Sequence, residues 1–154
     1  MKEVKIYDHI ISKCENGLDT KISESNNVFS VGQKQLLCLA RAIIKNSKIL
    51  VLDEATANVD LETDNFIQQK LKESFKNCTV LIIAHRLATV IDSDRILVME
   101  DGQSKEFDHP FNLLTNSSTD TSLTNTTGHF SKMVLATGPE TSQSLFKIAE
   151  SKFK

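Results

Sequence analysis

The stretch Lys48-Ile49-Leu50-Val51-Leu52-Asp53-Glu54 decides the fold of this chain. An unbroken apolar run that ends in acidic residues predicts a strand buried on both faces, as in a parallel sheet. Thr79-Val80-Leu81-Ile82-Ile83-Ala84 predicts a second buried strand, which ends at His85. A helix is predicted between them from near Asp60, with an apolar face of Phe66, Ile67, Leu71 and Phe75. This strand, helix, strand order predicts an α/β fold with a mostly parallel sheet flanked by helices.

Upstream of the first strand, the apolar spacing predicts two helices. A short one would carry its apolar face on Val4, Ile6, Ile10 and Ile11. A longer one would begin after Ser30 and end at Asn46-Ser47. Its predicted apolar face consists of Leu36, Leu37, Ala40, Ile43 and Ile44.

Downstream, Ile96-Leu97-Val98-Met99 predicts a third strand, and Asp101-Gly102 predicts a hairpin into a short strand near residues 105–107. Residues 115–127 are almost entirely Ser, Thr, Asn and Asp, which predicts a flexible loop. A helix is expected around residues 130–136, followed by a weakly amphipathic tail around residues 145–148.

The composition limits the classes of partner. The chain has 154 residues and a net charge of −2, which offers no electrostatic basis for binding nucleic acid or an anionic membrane. Its three cysteines are far apart, which favours free thiols in a reducing compartment over a disulfide framework. No apolar run approaches the roughly 18–20 residues of a membrane span. We therefore expect a soluble, cytosolic chain that meets a membrane only through a partner or a missing part of a longer polypeptide.

The strand ends carry the candidate chemistry. Ligands of open α/β sheets bind beyond the carboxyl ends of the strands, where Asp53, Glu54 and His85 would converge. Mg²⁺ prefers oxygen ligands, so Asp53 is the candidate metal ligand. Glu54 is then the candidate base that polarises an attacking water. Taken alone, the same residues also fit a strand end followed by an acidic helix cap.

Ser30-Val31-Gly32-Gln33 has two interpretations as well. Ser30 as N-cap and Gln33 three residues later fit a capping box, which predicts an ordinary capped helix. The N–H groups and partial positive charge of a helix start also bind phosphate, and Gly32 would allow close backbone approach.

Taken together, four ordered motifs resemble those of the ABC transporter ATP-binding domain. Residues 29–35 look like its signature motif, and residues 49–56 look like Walker B with its catalytic glutamate. Residues 57–60 are similar to the D-loop, and residues 83–86 to the switch histidine motif. The resemblance covers roughly residues 1–137, and Val31 in place of the common glycine resembles the second ATP-binding domain of class C exporters.

The resemblance implies roles for the strand-end residues and a cofactor pair, ATP and Mg²⁺. Asp53 would serve Mg²⁺, Glu54 would be the general base, and His85 would contact and sense the γ-phosphate. His9, His109 and His129 lie outside these motifs and are expected at the surface.

The resemblance also implies partners. Ser30, Val31, Gly32 and Gln33 would contact ATP held by a second ATP-binding domain, in a head-to-tail dimer across two ATPs. Asp60 would couple the two sites, and as a local feature it also fits a helix N-cap. The transmembrane domains of the transporter would be the other partner, which implies a place at the cytoplasmic face of a membrane.

Relative to the family, the domain division implied is the end of the helical subdomain at 1–29, the signature helix and catalytic core at 30–108, and a C-terminal extension at 109–154. No Gly-x-x-x-x-Gly-Lys-Ser/Thr sequence occurs, so the N-terminal half of the domain, with its P-loop, is expected to be missing.

The implied family function is ATP-driven export, whereas the chain alone is expected to be inactive. The alternative is a non-catalytic interaction fragment, or dominant-negative fragment, that offers only its signature face. An ABC-type ATPase of chromosome or repair machines would carry long heptad repeats, which are not seen here. A chance Walker B in an unrelated phosphotransfer enzyme is disfavoured by the ordered set of motifs.

Overall fold

The computed structural model describes residues 4–22, 28–53 and 59–153. The chain divides into two compact units, Met1–Ile83 and Ala84–Lys154, which we describe separately. The family resemblance implies domain boundaries at residues 29 and 108. The two compact units do not test these boundaries, which stay a prediction. The α/β prediction is confirmed, since both units contain helices and strands and the first contains a strand, helix, strand sequence whose strands pair in parallel.

Three α-helices and one short 3-10 turn precede or separate the strands of the first unit, within its described residues. Helix α1 spans Tyr7–Lys13, and the 3-10 turn spans Gly17–Asp19. Helix α2 spans Val31–Lys45 and ends at Asn46 in the left-handed conformation, as the predicted break requires. Helix α3 spans Leu61–Ser74 with Asp60 as its N-cap.

The two strands of this unit lie side by side as predicted. Strand β1 spans Ile49–Asp53 and strand β2 spans Thr79–Ile83, and they pair in parallel with Asp53 opposite Ile83. Both strands therefore end at the same edge of the sheet.

The prediction that these strands are buried on both faces is wrong for this chain. Both show an alternating pattern of exposed and half-buried residues. The inner residues Leu50, Leu52 and Val80 pack against the core. The other face carries four apolar side chains that are 53–63% exposed, namely Ile49, Val51, Leu81 and Ile83. The physical reason is that α2 and α3 supply the core against which only the inner face packs.

The core of the first unit joins all its helices. Its buried members are Val4, Ile6, Ile10, Cys14, Phe29, Leu36, Leu39, Ala40, Ile67, Leu71 and Phe75. Two residues expected on the apolar faces are instead exposed, Ile11 at 51% and Ile44 at 78%, and the missed core residue Leu39 is buried. These errors concern the edges of the buried faces, which apolar spacing alone leaves undefined.

The second unit begins with helix α4, Leu87–Val90, and an antiparallel hairpin. Strand β3 spans Ile96–Glu100 and strand β4 spans Gln103–Asp108. Asp101 and Gly102 between them have φ angles of 50° and 72°. Two positive φ values in a two-residue loop match the right-handed twist of a hairpin, so the predicted turn is confirmed.

Three helices complete the second unit. Helix α5 spans Pro110–Leu114, α6 spans His129–Leu135 and α7 spans Pro139–Phe153. The core of this unit consists of side chains from these helices and β3, together with Ile91 just after α4. Its buried members are Ile91, Ile96, Phe111, Leu113, Leu114, Phe130, Val134, Leu145, Phe146 and Ala149. The predicted helix near residues 130–136 and the amphipathic tail are therefore both present.

The polar segment 115–127 contains no helix or strand. Its side chains bond its own backbone: Asp120 accepts from the N–H groups of Asn116 and Ser117, at 3.0 Å each. The hydroxyl of Thr124 donates to the same carboxylate and is the largest cause of its lowered pKa. Asn125 accepts from the N–H of Thr127 and Gly128 at 3.1 Å.

Candidate functional site

Asp53 closes β1 at the carboxyl edge of the parallel sheet, and its side chain is exposed. Asp53 pairs with Ile83 in the strand register, so the end of β2 lies beside Asp53. Glu54, the predicted general base, lies outside the described residues. An exposed carboxylate at this edge is open to a ligand that approaches beyond the strand ends.

The exposed carboxylate of Asp53 has the donor chemistry that Mg²⁺ takes in proteins. Among the residues the structure describes, no group of three or more His, Cys, Asp or Glu side chains could hold a metal ion. Mg²⁺ usually keeps several waters and takes only one or two carboxylates, with substrate phosphates filling other positions. A single exposed aspartate is therefore compatible with Mg²⁺ that arrives with a nucleotide.

The predicted capping box at the start of α2 is confirmed. The N–H of Gln33 donates to Ser30 Oγ at 3.2 Å, and the N–H of Ser30 donates to Gln33 Oε1 at 2.9 Å. The N–H groups of Val31 and Gly32 have no intrahelical acceptor, because they lie in the first turn. The Ser30 hydroxyl also keeps its proton for donation, since the cap uses only its acceptor capacity.

Gly32 has a packing role that the sequence interpretation missed. It is buried, and a Cβ at this position would lie 3.3 Å from Val59 Cγ1 and 3.3 Å from Thr63 Cγ2. The absence of a side chain at Gly32 therefore lets the start of α2 approach the start of α3. The signature segment and the segment around Asp60 are thus adjacent within the first unit.

Asp60 caps α3, as its local sequence suggests. Its Oδ1 accepts from the N–H of Thr63 at 2.9 Å. That backbone hydrogen bond, followed by one from the Thr63 hydroxyl, lowers the pKa of the Asp60 carboxyl below its ordinary value. Asp60 is exposed, so the cap leaves the carboxylate open to solvent on its other side.

His85 is the first polar side chain after β2 and comes just before the N-cap of α4, Arg86. It is exposed and belongs to the second unit, whereas Asp53 belongs to the first. The predicted convergence of His85 with Asp53 therefore stays a prediction, although both strands end at one edge.

His9 was expected at the surface, and this expectation is wrong. It is half-buried in α1, and its Nε2 lies 3.2 Å from the carbonyl oxygen of Val28. Its Nδ1 lies 3.3 Å from Gln33 Nε2, and its ring lies 5.7 Å from that of Phe29. His9 therefore contacts the signature segment directly, which no local sequence pattern indicates because 24 residues separate it from Gln33.

The other two histidines outside the motifs are half-buried as well, so the surface expectation is wrong for them too. His109 Nδ1 accepts from the N–H of Phe111 at 3.1 Å and so caps α5. His129 Nδ1 lies 3.8 Å from Glu100 Oε2, and the His129 side chain is 43% exposed.

The cysteines Cys14, Cys38 and Cys78 are free thiols, as predicted. No helix in the described part of the chain combines the length and apolar character needed to cross a membrane.

Comparisons with known protein sequences agree on one family. A sequence profile described as "ABC transporter" matches residues 2–57. The chain is 45% identical over 152 residues to "ABC transporter C family member 3" of Dictyostelium discoideum, covering 99% of this chain and 10% of that protein. It is 55% identical over 116 residues to "ATP-binding cassette sub-family C member 4" of Mus musculus, covering 75% of this chain and 9% of that protein.

A solved structure is similar as well. The structure titled "Structure of a bacterial Atm1-family ABC exporter with ATP bound" matches with a TM-score of 0.70 and 32% sequence identity. The match covers 90% of this chain and 22% of that one. The chain thus spans about a tenth of the length of these two curated relatives. Because the sequence relatives are class C members and the fold match is an exporter, the chain belongs to the ABC transporter family, as a C-terminal portion of a class C ATP-binding domain.

Proposed function

We propose that this chain works as the C-terminal part of an ATP-binding cassette that couples ATP binding and hydrolysis to export across a membrane. The observation that carries the proposal is the capped start of α2 in the signature segment, packed through Gly32 against the start of α3. It occurs in the same unit as a parallel strand that ends at an exposed Asp53. The likeness to an ATP-bound exporter supports the same function.

Asp53 and Glu54 would divide the hydrolytic chemistry between them. Asp53 would hold Mg²⁺, directly or through water, at the carboxyl edge of the sheet. When bound, Mg²⁺ would neutralise charge on the phosphate oxygens. Glu54 would accept a proton from the attacking water, and His85 would donate a hydrogen bond to the γ-phosphate.

The start of α2 would act on ATP held by a second ATP-binding domain. The N–H groups of Val31 and Gly32, with the partial positive charge of the helix start, favour a phosphate. The free proton of the Ser30 hydroxyl and the second N–H of the Gln33 amide are further donors. Asp60, on the adjacent helix start, would couple the two composite sites of a head-to-tail dimer.

The transporter context supplies the remaining partners. Transmembrane domains of the full transporter would place this segment at the cytoplasmic face of a membrane. The sequence of this chain contains no P-loop, whose backbone and lysine hold the β- and γ-phosphates in P-loop enzymes. That observation also favours a second candidate for the chain on its own, a non-catalytic fragment that presents its signature face to a partner domain.

The test uses a class C transporter in which this segment replaces the matching segment. Glu54→Gln should lower ATP hydrolysis by about 10²–10⁴-fold with ATP binding kept, because an amide retains the size of the side chain but cannot act as a base. Asp53→Asn should instead raise the Mg²⁺ concentration needed for activity, since it removes a negative charge beside the metal. ATPase rate, ATP binding and Mg²⁺ titration measured on the same preparations separate the two effects.

Ser30→Arg is the third variant of this test. It should leave ATP bound at the P-loop of its own domain but prevent the ATP-dependent closed dimer, because the signature acts on the partner's nucleotide. Glu54→Gln should accumulate that dimer. If Glu54→Gln hydrolysed ATP at the unmodified rate, or if Ser30→Arg closed normally, the assignment of these residues would be withdrawn.

A further inference from the structure

His9 lies outside every motif of the site, yet it makes one polar contact with the signature segment and one with the residue that precedes it. Nε2 lies 3.2 Å from Val28 O, and Nδ1 lies 3.3 Å from Gln33 Nε2. The contacts therefore reach the residue just before Phe29 and the last residue of the capping box. The ring itself stands 5.7 Å from the Phe29 ring, which is buried in the core.

The hydrogen-bond chemistry fixes the direction of each bond in this chain of contacts. The N–H of Ser30 needs an acceptor, so the oxygen of the Gln33 amide faces Ser30, at 2.9 Å. The amide nitrogen therefore faces His9 and donates to Nδ1. Because Val28 offers a carbonyl oxygen, which only accepts, Nε2 carries the proton and donates to it.

We propose that His9, as the neutral Nε2–H tautomer, is a positioning residue that orients the Gln33 side chain and so holds the signature cap closed. A carboxamide has two N–H donors on its nitrogen. His9 engages one of them, which fixes the amide plane and directs the other N–H away from α1. In this way a side chain of α1 determines how the signature segment presents its polar groups.

This inference rests on the proposed function only for its consequence in catalysis. The positioning itself is a property of the 154-residue chain and is tested there. Two-bond ¹H–¹⁵N correlation spectra of the unmodified chain report the tautomer of each histidine. The expected result is a neutral His9 with its proton on Nε2. A proton on Nδ1 would overturn the proposal without any variant being made.

Three variants on α1 test the orienting bond. His9→Phe keeps a ring beside Phe29 but removes both polar contacts. His9→Asn keeps an acceptor close to the position of Nδ1, so it should retain the bond from Gln33. Ser12→Ala is the matched control, because Ser12 lies on the same helix and its hydroxyl donates only to the His9 carbonyl, at 3.2 Å.

The readout is hydrogen exchange at the Ser30 amide, which the Gln33 oxygen protects. We expect His9→Phe to accelerate this exchange by about 2- to 10-fold, the effect of losing one net hydrogen bond. His9→Asn and Ser12→Ala should stay near the parent. Equal exchange in His9→Phe and Ser12→Ala would overturn the proposal, as would a His9→Asn variant that behaves like His9→Phe.

Activity measurements on the transporter distinguish a failure of this proposal from a failure of the proposed function. In the transporter carrying this segment, His9→Phe should lower kcat by about 2- to 10-fold while ATP affinity of the open form is unchanged, because only the closed site uses the signature. If His9→Phe had the same kcat as Ser12→Ala, while Ser30→Arg as a separate variant still blocked closure, only the role of His9 would be overturned. If Ser30→Arg also had no effect, the proposed function would fail, whatever the tautomer of His9.

Discussion

Gly32 is a residue that is unfavourable for its own helix but is explained by a tertiary contact. A glycine inside a helix costs about 0.5–1 kcal/mol relative to alanine, so its presence in the first turn of α2 needs a reason. The structure supplies one, because Val59 and Thr63 leave only 3.3 Å for a Cβ. Phosphate binding by the Gly32 backbone is a compatible second reason.

At this scale we predict that Gly32→Val destabilises the chain by about 1–3 kcal/mol, the usual cost of extra methyl groups in a packed contact. Its γ-methyl groups would be forced against Val59 or Thr63. Urea unfolding of the purified chain measures the loss. Lys34→Val is the control, since Lys34 is exposed on the same turn of α2. Equal losses in both variants would mean that helix propensity, and not the contact with α3, explains the glycine.

Helix starts are the elements that the sequence predicted best. Ser30 with Gln33, and Asp60 ahead of α3, are caps whose hydrogen bonds join residues three apart. Such contacts depend on local chain geometry, which the sequence contains directly. The contact of His9 with Gln33 joins residues 24 apart and depends on how α1 packs, so no local pattern could indicate it.

The Asp60 cap makes the stability of α3 dependent on pH. The pKa of Asp60 is lowered in the folded chain, first by the Thr63 N–H. A lowered folded pKa means that the carboxylate stabilises the fold above its unfolded pKa, and that this stabilisation is lost as the pH falls through the folded pKa. At neutral pH the stabilising contribution is therefore fully present.

Asp60→Asn tests this dependence, because asparagine also caps helices but does not titrate. The parent should be more stable than Asp60→Asn at neutral pH, since the aspartate charge also favours the helix start. The difference should shrink as the pH falls below the ordinary range of an aspartate. Urea unfolding at a series of pH values measures it. A difference that stays constant to acid pH would contradict the role of the charged cap.

At the scale of the whole molecule, the apolar outer face of the β1–β2 sheet is the main departure from the sequence prediction. The unbroken apolar runs predicted burial on both faces, yet Ile49, Val51, Leu81 and Ile83 are more than half exposed. The sequence pattern records what a strand is suited to contact. It does not record whether a segment packs on each face of the strand.

We predict that this face makes the isolated chain self-associate, because contiguous exposed apolar side chains promote association. Val51 and Leu81 are direct cross-strand partners, so the double variant Val51→Lys, Leu81→Glu places opposite charges side by side. It should reduce concentration-dependent association in light scattering while changing stability by only about 0.5 kcal/mol. Leu50→Lys is the matched control on the same strand: its inward side chain packs on the core, so it should unfold the chain. Unchanged association in the double variant would show that this face is not responsible.

The central claim is that this chain supplies the signature, the metal aspartate and the base of an ATP-binding domain, but not the phosphate-holding loop. Steady-state ATP turnover tests it most directly, measured on the 154-residue chain alone and on the same chain fused behind the P-loop half of a class C ATP-binding domain. The claim predicts that the chain alone turns over ATP far more slowly than the roughly 1 s⁻¹ of slow enzymes. The fusion should turn over ATP, and Glu54→Gln should abolish that turnover. Turnover of that order by the chain alone, or a folded, ATP-binding fusion no faster than its Glu54→Gln variant, would contradict it.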